Sequence, residues 1–121
     1  MIEVRFDIQN DARLLTLQGH AEGSPAVCAA ASAIVYALAG WLKNYPPAQA
    51  RLRLKPGDGW ILCRGDETVD TALQIALTGF AQLGRSFPHH LRLYLGVNGL
   101  QAEDIAARLT HAKERGKEIF A

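Results

Sequence analysis

The chain is predicted to fold as a two-layer α+β domain in the order ββαββαβ, with a mixed sheet, two main helices and a further C-terminal helix. Three observations predict it. Short segments with period-two alternation come in pairs separated by turn residues. Two longer segments carry apolar residues at helical spacing. Each longer segment follows one of the pairs, and a last alternating segment closes the order.

The length of 121 residues suits one domain that needs no disulfide or metal to fold, since a chain of this size buries roughly 65% of its unfolded surface. A formal net charge of +1 gives no global signal for nucleic acid, a membrane surface or an acidic partner. The two cysteines, Cys28 and Cys63, fall in no CxxC or Cys/His zinc spacing. The apolar run from Ala26 to Trp41 is short and Ala-rich for a membrane span, and Met1 to Ile8 is a strand pattern rather than a signal peptide. A reduced, cytoplasmic setting is expected.

Ile2 to Ile8 alternates apolar and polar, which predicts a strand with one buried face. Asn10-Asp11 supplies turn chemistry, and Arg13 to Gly19, with Leu15 and Leu17 on one side, completes a hairpin. Ser24-Pro25 opens a helix, Ser as N-cap and Pro at the first helical position. Val27, Ala31, Ile34, Val35, Leu38 and Leu42 form its core stripe, and Tyr45-Pro46-Pro47 ends it.

Ala50 to Lys55 and Trp60 to Arg64 flank the turn Pro56-Gly57-Asp58-Gly59 and form a second hairpin. Asp66 or Thr68 caps a second helix running to Ser86, with Val69, Leu73, Ala76, Leu77, Phe80 and Leu83 facing the core. His90 to Leu95 is the fifth strand. These elements form one domain over 1–95. Residues 96–121 read as a charged extension with a weakly amphipathic helix over Gln101 to Arg115, which would pack loosely or against a partner.

The chemistry-bearing stretch is Gly19-His20-Ala21 followed by Val27-Cys28-Ala29-Ala30-Ala31-Ser32. With Ser24 as N-cap, Cys28 is the fourth helical position, where the helix field favours an anion by roughly 0.3–1 kcal/mol. That is less than one pKa unit, so a thiolate needs a second contribution, and His20 is its candidate source. Free amides of Ala26, Val27 and Cys28 could hold an oxyanion. Ser32, one turn after Cys28, could orient His20 or bind substrate, or bond back to the Cys28 carbonyl. Free cysteines are more often packing than chemistry, so the residues alone leave both readings of Cys28 open. Mid-strand Cys63 reads as core. His89-His90 adds imidazoles without a metal-ligand spacing. Arg51, Arg53 and Lys55 read as the solvated face of an alternating strand.

The same stretch resembles the ribosomal-processing cysteine protease family, whose members trim the N-terminal extension of ribosomal protein L27 in some bacteria. The family pattern is Gly-His-Ala, a glycine-rich loop, Gly-x-Asp, two apolar residues and Cys-Ala-Ala/Gly-x-Ser. The resemblance spans Met1 to Leu95 in element order and is specific over Gly19 to Ser32. It implies Cys28 as nucleophile, His20 as general base, and Gly19, Gly23 and Ser32 as substrate-binding or supporting residues. It further implies an extended peptide substrate, a homodimer and no metal or cofactor. Two features mark this chain as divergent. The His20–Cys28 loop is several residues shorter, and Pro25 stands where the family has an Asp, so Glu22 is the nearby carboxylate left to orient the imidazole. A phage or mobile-element protein as substrate, or a peptide- or ribosome-binding module without chemistry, are the alternatives.

Overall fold

The computed structural model describes residues 1–96. Two hairpins, β1 (Ile2–Gln9) with β2 (Ala12–Gln18) and β3 (Arg51–Lys55) with β4 (Asp58–Arg64), alternate with helices α1 (Pro25–Lys43) and α2 (Glu67–Ser86), and β5 (Leu91–Leu95) follows. The sheet order is β3-β4-β2-β1-β5. The β1–β5 pair is parallel and the others are antiparallel, which makes the sheet mixed and the fold α+β, as the alternation predicts. The helix expected over Gln101 to Arg115 lies outside the described residues.

Alternation decides which side of the sheet is buried. Val4, Phe6, Leu15, Ile61, Leu91, Leu93 and Leu95 face the helices. Val27, Ala31, Val35, Leu38 and Leu42 of α1 and Val69, Leu73, Ala76, Leu77 and Phe80 of α2 meet them. Ile34 and Leu83, expected in these stripes, are half-buried at the margin of the core. By length and composition α1 could cross a membrane, but here its apolar stripe is packed into this core. Cys63 is buried, as its mid-strand place predicts.

Two local details differ from the sequence reading, and a third resolves a choice it leaves open. The β3–β4 connection narrows to Pro56-Gly57, because Asp58 and Gly59 pair with Lys55 and Leu54 across the ladder. Pro46–Ala48 forms a short 3-10 turn after α1 rather than a plain break. Asp66, not Thr68, caps α2, accepting from the Val69 amide at 2.7 Å. The other Asp66 oxygen accepts from the Tyr45 hydroxyl at 2.7 Å, which ties the start of α2 to the end of α1.

Arg13 is the unexpected core residue, 1% exposed at the start of β2. Its Nε donates to Asp70 Oδ1 at 2.9 Å and its Nη2 to Oδ2 at 3.3 Å. Nη1 donates to the Asn10 and Ala12 carbonyls, each at 3.1 Å. The bidentate pair clamps β2 to α2.

Removing either charge strands the other in the core. Asp70→Asn or Arg13→Met is expected to cost about 3–5 kcal/mol in urea denaturation, whereas an apolar replacement of both should cost far less. Equal losses in the single and double variants would show that the pair is not the coupled unit its geometry implies.

Candidate active site

Strand β2 ends at Gln18, and Gly19, His20 and Ala21 carry the chain to the start of α1. Gly19 is required here on two grounds. Its φ is +93°, and a Cβ would overlap the Met1 carbonyl. The Gly19 amide donates to the Gly57 carbonyl at 2.9 Å, and the N-terminal amine donates to the His20 carbonyl at 2.6 Å. The backbone of His20 is thereby held between the start of β1 and the β3–β4 turn.

The imidazole itself lies against Gly57, which the sequence reading treated only as turn chemistry. Gly57 has φ +75°, and a Cβ there would overlap Nε2 and fall 2.8 Å from Cε1 of His20. Pro56-Gly57 fills the positions that a type II turn assigns to Pro and Gly. The turn sequence was visible. Its place beside His20 was not, because it depends on β4 pairing with β2.

Cys28 is half-buried in the first turn of α1. The Ala21 amide donates to its sulfur at 3.3 Å, while the thiol can donate to the Ala21 carbonyl at 3.9 Å. His20 therefore reaches Cys28 through shared surroundings: the sulfur's hydrogen-bond partner is the residue after the imidazole, not the imidazole.

Ser24 is the N-cap as expected, but its hydroxyl makes no capping hydrogen bond; at ψ 80° it departs from the extended geometry of a side-chain cap. The Cys28 amide is not free for an oxyanion, since it donates to the Ser24 carbonyl at 3.3 Å. Pro25 has no amide hydrogen. Ala26 and Val27 supply the donors that α1 itself cannot use.

Gly19, His20, Cys28 and Ser32 all line one cavity of about 230 Å³, together with Tyr36, Leu54, Lys55, Gly57 and Asp58. The Ser32 hydroxyl is exposed and forms no bond to the Cys28 carbonyl, in contrast to Thr71 and Thr78, which bond the Glu67 and Gln74 carbonyls at 2.9 and 2.7 Å. Gly23 does not line the cavity; it sits in the turn before α1 with φ +76°. Glu22 makes no hydrogen bond or ion pair with His20, and the acidic residue that lines the cavity is Asp58, at its rim where β4 begins. Sequence reasoning missed Tyr36, Asp58 and Gly57. Of these Tyr36, two turns after Cys28 on its own helix, could have been found from helical spacing. His89 and His90 do not line this cavity, and among the described residues no group of His, Cys, Asp and Glu could hold a metal ion.

The two thiols have unlike surroundings. Burial pushes the Cys63 thiol up to about 11, a rise that the nearby Arg13 guanidinium only partly offsets. Cys28 borders an open cavity and receives an amide hydrogen.

No family model and no curated protein sequence matches the chain. Solved structures do. The chain is similar to the ribosomal processing protease Prp of Staphylococcus aureus in complex with a covalently linked product peptide. The TM-score is 0.63 at 19% identity, covering 78% of this chain and 99% of that one. The same protease in complex with a substrate peptide gives the same values. A hypothetical protein from Staphylococcus aureus aligns with TM-score 0.56 and 17% identity over 78% of this chain and 99% of that one. At these identities the likeness is one of fold, and it spans nearly the whole of the Prp protease chain.

Proposed function

We propose that the protein is a cysteine endopeptidase with Cys28 as nucleophile and His20 as general base. The observation that carries this is the convergence of both side chains on one open cavity, with the Ala21 amide 3.3 Å from the sulfur. The shared fold with a peptide-bound protease supports it. His20 takes the thiol proton, and the thiolate attacks a peptide carbonyl to give a tetrahedral intermediate. The Ala26 and Val27 amides serve the oxyanion. His20 returns the proton to the leaving amine, and water hydrolyses the thioester. Ser32 and Tyr36 border the bound peptide. On this reading the substrate is an extended peptide, with the L27 extension the first to try, and the enzyme is a cytoplasmic homodimer.

One observation favours a second reading, a peptide-binding module without chemistry. The sulfur is bonded to backbone rather than to the imidazole. Catalytic contacts often tighten only with substrate, so the geometry leaves the general-base role intact.

Thiol alkylation against pH separates the two. Under the protease reading Cys28 reacts at neutral pH, and His20→Ala moves that reactivity to alkaline pH and lowers peptide cleavage by about 10²–10⁴-fold. Cys63, with its thiol pushed up to about 11, stays unreactive until strongly alkaline pH. Alkaline-only labelling of both thiols in the parent would sink the protease reading.

Gly57→Ala tests the seat of the imidazole. The added methyl must displace His20, so neutral-pH labelling of Cys28 is expected to fall to the level of His20→Ala. Cys63 labelling and the urea midpoint should distinguish this from unfolding. A Gly57→Ala protein with parent-like Cys28 reactivity would show that the imidazole does not act from this position.

A further inference from the structure

The helices cover one face of the sheet, and among the described residues no element covers the other. Its composition follows from the register. One row across the sheet reads Arg53, Trp60, Thr16, Arg5 and Tyr94. The next reads Arg51, Leu62, Leu14 and Asp7, and a third Lys55, Asp58, Gln18, Glu3 and Arg92. Arg64 lies beyond the second row on β4.

Four strands thus bring cations to this face, opposed by Glu3, Asp7 and Asp58 on the strands and by Asp11 at the β1–β2 turn. Arg5 is engaged by Glu3 at 3.4 Å and lies 4.3 Å over the Tyr94 ring, and Arg64 is 3.6 Å from Asp11. Arg51, Arg53 and Lys55 make no ion pair among the described residues and are exposed. They stand at alternate positions of edge strand β3, so their Cα atoms are about 7 Å apart. That spacing is close to the distance between successive phosphates of an extended single strand. Beside this cationic rail, directly across from Arg53, is the half-buried Trp60, and across from Arg51 is Leu62, 37% exposed.

Charge on β3 alone would be explained by protection of a sheet edge. That need does not account for an aromatic ring and an exposed leucine in the adjacent strand, nor for cations from β1, β4 and β5 on the same side. We propose that this open face binds single-stranded nucleic acid. Arg51, Arg53 and Lys55 neutralise the phosphates, and Trp60 stacks a base. An acidic peptide would meet the same cations, so competition by poly-glutamate and the effect of Trp60→Leu are the measurements that separate it from an oligonucleotide. The inference does not depend on the reading of Cys28.

The test uses the full chain and fluorescein-labelled twelve-residue oligo(U) and oligo(dT), followed by anisotropy over a salt series. Binding to one or both oligonucleotides is expected, with a log–log salt slope of about −2 for three phosphate contacts. The triple variant R51Q/R53Q/K55Q should flatten that slope. Trp60→Leu should weaken binding roughly tenfold without changing it, and Trp60→Phe should restore it. Comparison of the two oligonucleotides distinguishes RNA from DNA. The exposed positions make the triple variant safe for folding, which the urea midpoint checks. The proposal is overturned by absence of binding at low salt, or by binding that the triple variant leaves intact. It is equally overturned if Trp60→Leu is without effect and a poly-glutamate peptide displaces the oligonucleotide at equal charge.

Discussion

Strand β2 is pinned at both ends, and the site depends on that. It lies between β1 and β4, so its rotation sets the facing of the sheet. At one end Arg13 is locked to Asp70 in the core. At the other, the Gly19 amide is bonded to the Gly57 carbonyl. A slip of one residue would turn Arg13 out to solvent, drive Leu14 inward and exchange the two faces of the strand. The buried guanidinium spends its donors on Asp70 and two carbonyls, so a slipped register has no equivalent set of acceptors. A pair of this kind adds little net stability over an apolar pair, and its value here is to exclude the wrong register. The facing of His20 at the far end follows from it.

At the corner that β2 leads into, the direct donor to the Cys28 sulfur is the Ala21 amide at 3.3 Å, and it belongs to the residue that follows His20. Buried Ala21 packs into the core while its neighbour His20 stays exposed. One short peptide thus sends its methyl inward, its amide to the thiol and the preceding imidazole to the cavity.

Much of this was legible because it is local. Alternation placed the strands, and helical spacing placed the core stripes. The join between a strand and a helix brought His20 and Cys28 to one place. What sequence missed is non-local. Arg13 shares parity with Leu15 and Leu17, which already points it inward, yet a buried guanidinium is credible only beside Asp70, 57 residues away. Gly57 was read as a turn residue because its contact with His20 exists only after β4 docks on β2. Ser24 is the N-cap that its residue type predicts, but the backbone angles decide whether the hydroxyl can reach an amide, and here it bonds none.

The His20–Cys28 loop does less to place the two side chains than its position between them suggests. His20 is placed by β2 and by the β3–β4 turn; Cys28 is placed by α1, whose apolar stripe is fixed in the core. Neither anchor lies in the intervening loop. That loop needs only to close the corner, which it does through the Ser24 amide bonded to the Ala21 carbonyl at 3.0 Å and the fixed φ of Pro25. The loop's length thus bears on what can cover the cavity, while the sheet and helix fix the two side chains. Pro25 stiffens the start of α1. The structure therefore separates two properties that sequence divergence alone would confuse: the position of the thiol and imidazole, set by the sheet and helix, and the shape of the binding surface, set by the loop.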